Sequence, residues 1–360
     1  MLHVARRGSQ GQKDNAIDYE HAFLKLLDSV TNGSTITINY TGTEVTYKPG
    51  LVHGGVLSTF ACPLSRSIGY FLEPLLALSP FAKHPIQLDL EGLTSDNRHL
   101  SVHVCTCVLR QHLILNLNGH IPQMDLLRTV LLPLLPRFGI EHTTIQVLKR
   151  GHKPKGGGLV RFCSQPIRQL KPISMLEAGR IQKIRGTATC VRMSPATTMT
   201  LIDAARPRLT KHIPDVYIYN DVFKGKDCGL SSGYALSLVA ESTTGTLLSA
   251  EDVAEPIRRS QEAKGEIMTN PKAVALRAVH RLYQQIKQGG CIDTASQPLI
   301  LLLMAMGSED VSQVLIGPMT PFTYVPFHIN SSFASYDSAC QNVLDLNLSA
   351  LLIACNCCAT

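Results

Sequence analysis

A chain of 360 residues with 44% hydrophobic and 17% charged residues has the balance of a folded globular protein and the length for two domains. That balance excludes an intrinsically disordered chain, and no apolar run reaches the roughly 18 residues that would span a bilayer. The net charge is +7 but unevenly placed: from Lys149 to Arg192 eleven Lys and Arg stand against one acid, Glu177, a net +10, so the rest of the chain carries −3.

The opening MLHVARRGSQGQKDN has no apolar core of the kind a secretory signal needs, so an intracellular protein is expected, with its eleven cysteines as reduced thiols. Phe23, Leu24, Leu27 and Val30 repeat at helical spacing, and Gly33 follows as a cap. Ile36, Ile38 and Tyr40, then Val45 and Tyr47, alternate around Thr-Gly-Thr and predict a hairpin. Pro49, Gly50, Gly54 and Gly55 mark a loop. Cys62 to Leu78 reads as a buried helix, and Ile86, Leu88 and Leu90 as a strand. DLLRTVLLPLLPRFGI reads as a helix kinked or ended by its prolines. TTIQVLKRG and GLVRFCSQP then read as two strands joined by a glycine turn. Helix, strand, turn, strand thus occurs twice, which predicts an α+β fold of repeated units whose sheets are covered by helices.

From Gly179 the texture changes. Ile181 to Met193 reads as a strand, and Ser194-Pro195 as an N-cap and first helical position for a helix to about Leu209. Strands are expected at Val216–Tyr219 and Ala235–Glu241, and a last helix from Pro271 to Lys287 before Gly289-Gly290. A stretch of about 110 residues is of domain size.

The concentrated basic stretch points to an anionic partner, nucleic acid first, or to a solvated basic surface. At its centre lies RGHKPKGGGLV, residues 150–160. Its local chemistry leaves two readings. Glycines beside Lys155 and Arg161 can turn backbone N–H groups toward a phosphate, or they form a plain turn with solvated lysines. It is not a nucleotide-binding loop of the G-x-x-x-x-G-K-[ST] kind.

The same stretch, Arg150-Gly151-x-x-Pro154-x-Gly156-Gly157-Gly158-x-Val160, matches the signature of the RNA 3′-terminal phosphate cyclase family, which the chain resembles over roughly residues 17–98 and 125–324. Tyr47-Lys48-Pro49-Gly50-Leu51 with Gly54-Gly55 resembles the family's early glycine loop, and Arg185-Gly186 the opening of its inserted domain. Ser231-Ser232-Gly233 resembles a turn within that domain, and GGCIDTASQPLILLLMAMG the return to the core. The likeness is to the cyclase-like branch. It implies a core of repeated helix/strand units with a smaller α+β domain inserted, divided here as 1–178, 179–287 and 288–360.

In cyclases of this family a histidine takes AMP from ATP and passes it to an RNA 3′-phosphate, which closes to a cyclic phosphate. The matching position here is Phe322, which has no lone pair for a phosphoramidate, and His328 lies six residues on, off the motif. The resemblance therefore implies a non-catalytic factor of small-ribosomal-subunit biogenesis, acting in early pre-rRNA processing in the nucleus and nucleolus. Its implied partners are pre-rRNA in the small-subunit processome and a ribosome-assembly GTPase, with no membrane and no cofactor. Two alternatives remain: a pre-rRNA endoribonuclease, and an ATP-dependent cyclase with a displaced nucleophile. No paired-carboxylate metal motif or His/Lys acid–base pair stands out for a nuclease. Arg150, Lys153, Lys155, Gly156, Gly157, Gly158, Arg161 and Arg66 are the candidate contacts to RNA phosphates, or to an acidic segment of a protein partner.

Three stretches depart from the family pattern. Its opening strand and glycine loop are missing at the start, residues 99–124 interrupt a short link, and the pattern stops after Thr323. A missing strand would expose a sheet edge. The interruption carries His99, His103, Cys105, Cys107 and His112, but Cys105-x-Cys107 is too tight for a zinc pair, so no metal is expected.

Overall fold

The computed structural model describes residues 2–5, 16–38, 44–96, 124–257, 267–307, 311–319 and 343–346. The fold is α+β, as the alternating patterns predict. Strand β1 (Leu2–Ala5) leads to helix α1 (Ala16–Val30), which buries Tyr19, Ala22, Leu26 and Val30 at three- and four-residue spacing. The expected helix is there, with its face turned by one residue: Leu26 rather than Leu27 is inside. Strands β2 (Thr35–Ile38) and β3 (Glu44–Lys48) form the hairpin, Ile36 opposite Tyr47, with β1 on the far side of β3.

The helix expected from Cys62 begins later, as α2 (Ile68–Leu78). Residues 60–67 serve the sheet instead. The Cys62 N–H donates to Glu91 O at 2.7 Å, Phe60–Ala61 runs parallel to the end of β4 (Ile86–Gly92), and Ser67 is extended (ψ 156°) before the first helical turn. In β4 Ile86, Leu88 and Leu90 alternate inward.

The proline-rich segment 124–138 winds unevenly: one turn is α (Met124–Leu126), the next is a wider π turn (Leu127–Leu131), and it tightens to a 3₁₀ turn (Leu135–Phe138). Pro133 and Pro136 lack the N–H donors of a regular ladder, and Gly139 ends the segment with left-handed backbone (φ 85°). Strands β5 (Thr144–Lys149) and β6 (Gly158–Ser164) are antiparallel, and β6 also pairs with β4, so β6 lies between them with Val160 and Phe162 wholly buried.

The short strand β7 (Ser174–Met175) ends this part. A second sheet follows, built from β8 (Ile181–Val191), helix α3 (Pro195–Thr210), β9 (Asp215–Phe223), β10 (Gly233–Ser242), β11 (Leu247–Val253) and helix α4 (Pro271–Gln288). Its order is β9-β8-β10-β11, with β8 and β9 parallel across α3 and the other pairs antiparallel. Both helices start on a side-chain cap followed by proline: Ser194 Oγ accepts the Ala196 N–H at 3.3 Å, and Asn270 Oδ1 that of Lys272 at 3.0 Å. Strand β11 has no counterpart among the elements expected from the sequence; it carries Glu251 and Asp252 among its buried residues.

After α4 the chain returns through α5 (Gln297–Ala305), buried nearly all round, to β12 (Ser312–Leu315). β12 pairs in parallel with β7 and antiparallel with β13 (Val343–Leu346). Two hydrophobic cores result. One is built from residues between Tyr19 and Met175 together with Cys291 to Ile316; the other from residues between Ile184 and Leu282, where α3 and α4 cover one face of the second sheet.

Candidate functional site at the glycine turn

The turn between β5 and β6 lies where the two cores meet. On the first side, Gly151 O accepts the Thr94 N–H at 2.9 Å, and the Gly151 N–H donates to Thr94 Oγ1 at 3.2 Å. On the second side, the loop between β9 and β10 closes over it. Gly229 N–H donates to Arg150 O at 2.6 Å, Leu230 N–H to Gly156 O at 2.8 Å, and the Lys155 N–H to Ser231 Oγ at 2.9 Å. The turn is a clasp. Gly156 (φ 64°) and Gly157 (φ 77°) take left-handed backbone, and a Cβ on Gly156 would stand 2.6 Å from the Leu64 side chain. From the facing loop, a Cβ on Gly233 would lie 2.4 Å from the His152 ring. The N–H groups of Gly151, Lys155 and Gly156 are thus engaged within the protein, Gly156 donating to His152 O at 2.9 Å.

The candidate side chains separate. Arg150 is 1% exposed and grips Asp125 through both terminal nitrogens. Burial pushes the Asp125 carboxyl up, but the charge and hydrogen bonds of Arg150 outweigh it and hold it below the usual carboxylate range. Lys153 pairs with the buried Asp96. Arg161 lies out on the sheet in a two-bond pair with Asp89 of the neighbouring strand, both bonds at 2.8 Å. Gly158 is strand backbone opposite Gly92. Arg66 is buried with its guanidinium 4.4 Å above the Tyr19 ring. Of the eight candidates only Lys155 presents an exposed cation that is not ion-paired among the described residues. Lys183 with Glu241 and Arg185 with Asp215 continue the pattern, so five of the eleven basic residues between 149 and 192 pair with carboxylates lying outside that stretch.

Beneath the clasp lies a buried polar group. His152 is fully enclosed; burial and the Arg150 charge push its imidazole down to about 4, so it is neutral. Glu251 faces the same interior, and burial followed by the Asp125 charge raises its carboxyl well above the ordinary range. Burial likewise raises Asp221. His152 and Glu251 are buried out of reach of a phosphodiester, whereas Asp221 is half-buried. Among the described residues no three of His, Cys, Asp and Glu converge on a metal-sized site, and no helix is long and apolar enough to cross a membrane. Phe322, His328 and the histidines and cysteines of 99–124 lie outside the described residues.

Three cations outside the candidate set lie on or beside the loop that closes over Lys155. Arg192 takes left-handed backbone (φ 53°) and donates from Nε to Gly229 O at 2.6 Å. Lys224 lines one cleft with it, and Lys226 follows across Gly225. The available signal was Lys-Gly-Lys directly after a strand.

The family model for RNA 3′-terminal phosphate cyclase matches residues 17–115, and the model for that family's insert domain matches residues 176–287. The RNA 3′-terminal phosphate cyclase-like protein of Bos taurus is 43% identical over 321 residues, covering 88% of this chain and 78% of its own length. The Homo sapiens protein of that name is 42% identical over the same coverage. The rRNA processing protein rcl1 of Schizosaccharomyces pombe is 40% identical over 305 residues, 84% of this chain and 75% of the relative. With its signature turn, its second sheet and relatives at this identity, the chain belongs to the RNA 3′-terminal phosphate cyclase family.

Proposed function

We propose that this protein acts in ribosome biogenesis as a non-cyclase factor of rRNA processing. The observation that carries the reading is 40% identity across 84% of the chain to a relative named as an rRNA processing protein, beside relatives named cyclase-like. Phe322 at the nucleophile position supports a chain without cyclase chemistry. In finer terms, the protein works on pre-rRNA in the small-subunit processome of the nucleolus, with a ribosome-assembly GTPase as partner. The clasp fits this role: it joins the two cores by backbone bonds through a signature whose basic side chains are largely ion-paired. Lys155, rather than Arg150 or Arg161, is the residue of that signature that meets RNA phosphate.

The test uses purified, folded protein with Mg²⁺, α-labelled ATP and RNA bearing a 3′-phosphate, together with recovery of RNA on the tagged protein from cells. The expected result is no label on protein, no cyclic phosphate, and enrichment of pre-rRNA. Covalent AMP would make the chain a working cyclase. Absence of pre-rRNA from the recovered complexes would remove the processing role.

A further inference from the structure

The face of the second sheet turned away from α3 and α4 packs on the first core at Val239 and Leu247 but is open toward its β9 edge. Along β9 the side chains alternate. Val216 and Ile218 pack toward α3 and the second core. Tyr217 and Tyr219 point the other way, 52% and 53% exposed, with ring centroids 4.6 Å apart and planes at 71°. Arg185 of β8 stands beside Tyr217 and Thr187 beside Tyr219. The proline-rich segment 124–138 flanks this face and leaves a cleft of about 460 Å³, whose lining includes Tyr219, Arg185, Thr187 and Arg137. Beyond Phe223 the edge strand runs into Lys224 and Lys226, with Arg192 and Lys155 around the same loop. None of these four is ion-paired among the described residues. At ~3.3 Å per residue the path from Tyr217 to Phe223 covers about 20 Å, the length of a few nucleotides.

We propose that the edge of the second sheet is a track for single-stranded RNA, with bases stacked on Tyr217 and Tyr219 and the phosphates running on to Lys224, Lys226, Arg192 and Lys155. Exposed phenol rings on a sheet give every base a surface to stack on, and a row of cations at one end follows the backbone. Arg185 supports the rings: its guanidinium is fixed beside Tyr217 by two bonds to Asp215, at 2.7 and 2.9 Å. A duplex keeps its bases stacked inside and gives the tyrosines nothing to hold. An acidic peptide satisfies the lysines but leaves the rings unused. The choice of RNA over DNA rests on the processing role proposed above; the track itself rests on the strand.

The experiment measures anisotropy of a labelled oligouridylate of about 12 nucleotides, titrated with the full chain over a range of salt. The same strand in a duplex, the DNA counterpart and a polyglutamate peptide are the comparisons. Replacing both tyrosines (Tyr217→Ala with Tyr219→Ala) is expected to weaken binding roughly 10-fold or more without changing the salt slope. Tyr217→Phe with Tyr219→Phe keeps the rings and the affinity, and it controls for folding. Lys224→Gln with Lys226→Gln is expected to reduce the salt slope by about 1.4. Alanine variants that bind like the wild type, or a duplex bound as tightly as the single strand, overturn the track. Polyglutamate bound as tightly as RNA makes the edge a protein dock and overturns it too. Binding of purified RNA is independent of recovery from cells, so either reading can fail alone.

Discussion

Two kinds of cation meet at the loop between β9 and β10, and the protein uses them in opposite ways. Below the loop Arg150 is enclosed, gripped by Asp125, and roofed by Gly229 and the Phe223 ring, whose centroid lies 5.5 Å from the guanidinium. On and around the loop Lys155, Lys224, Lys226 and Arg192 are exposed. In the sequence both are simply basic residues near glycines. What separates them is whether a carboxylate from another part of the chain reaches them. Burying a cation such as Arg150 is costly unless a carboxylate compensates it, whereas an exposed one is free for a ligand.

The largest test of this contrast removes Asp125. Asp125→Ala leaves Arg150 buried and uncompensated, and urea unfolding is expected to show a loss of about 3–5 kcal/mol. A loss no larger than that of a surface substitution would mean that water reaches Arg150. The next test is pH. His152 is held at about 4 when folded, against 6.5 when free. Between these values the unfolded chain takes up a proton that the folded chain refuses. Its contribution is therefore whole above pH 6.5 and is lost as pH falls toward 4, up to roughly 3 kcal/mol. Glu251 titrates with the opposite sign, since its raised pKa stabilises the fold on the acid side and that contribution is lost as pH rises. The informative quantity is the difference between wild type and His152→Gln, which should shrink on acidification; a constant difference would mean that the imidazole charges freely in the native protein. The smallest effect belongs to Arg161→Ala. Its pair with Asp89 is open to solvent, so the unfolding midpoint should stay with the wild type. A clear fall would show that the outer sheet face is covered.

Local features of the fold were legible where local chemistry decides them. Ser194-Pro195 caps α3 as read, and the alternation of Ile86, Leu88 and Leu90 marks β4. Residues 62–67 depart from the expected helix because their backbone pairs with a strand some thirty positions on. Strand β11 carries two acids inside: Asp252 pairs with Arg277 and Arg281 of α4, and burial raises the Glu251 carboxyl well above its ordinary range. The candidate site was legible as a turn of glycine and positive charge, but not in its use. Arg150 and Asp125 are 25 residues apart, Lys153 and Asp96 57, and Arg161 and Asp89 72. No local pattern announces such pairs, so a stretch of +10 reads as an anion site while much of it is neutralised in place.

The parallel pairing of β7 with β12 has a consequence for the order in which the molecule can be made. The first core needs Ile292, Leu299, Leu303, Val314 and Ile316, all of which follow α4 in the chain. As the polypeptide leaves the ribosome, everything from β8 to α4 emerges before those residues do, and the second core, drawn wholly from that stretch, can close on its own. The first core is incomplete until then, lacking the packing of α5 against α2. During that interval the finished second sheet already holds Gly229 and Leu230 ready for Arg150 and Gly156. Synthesis halted before Cys291 is expected to leave the second core complete and the first without the side chains that follow α4.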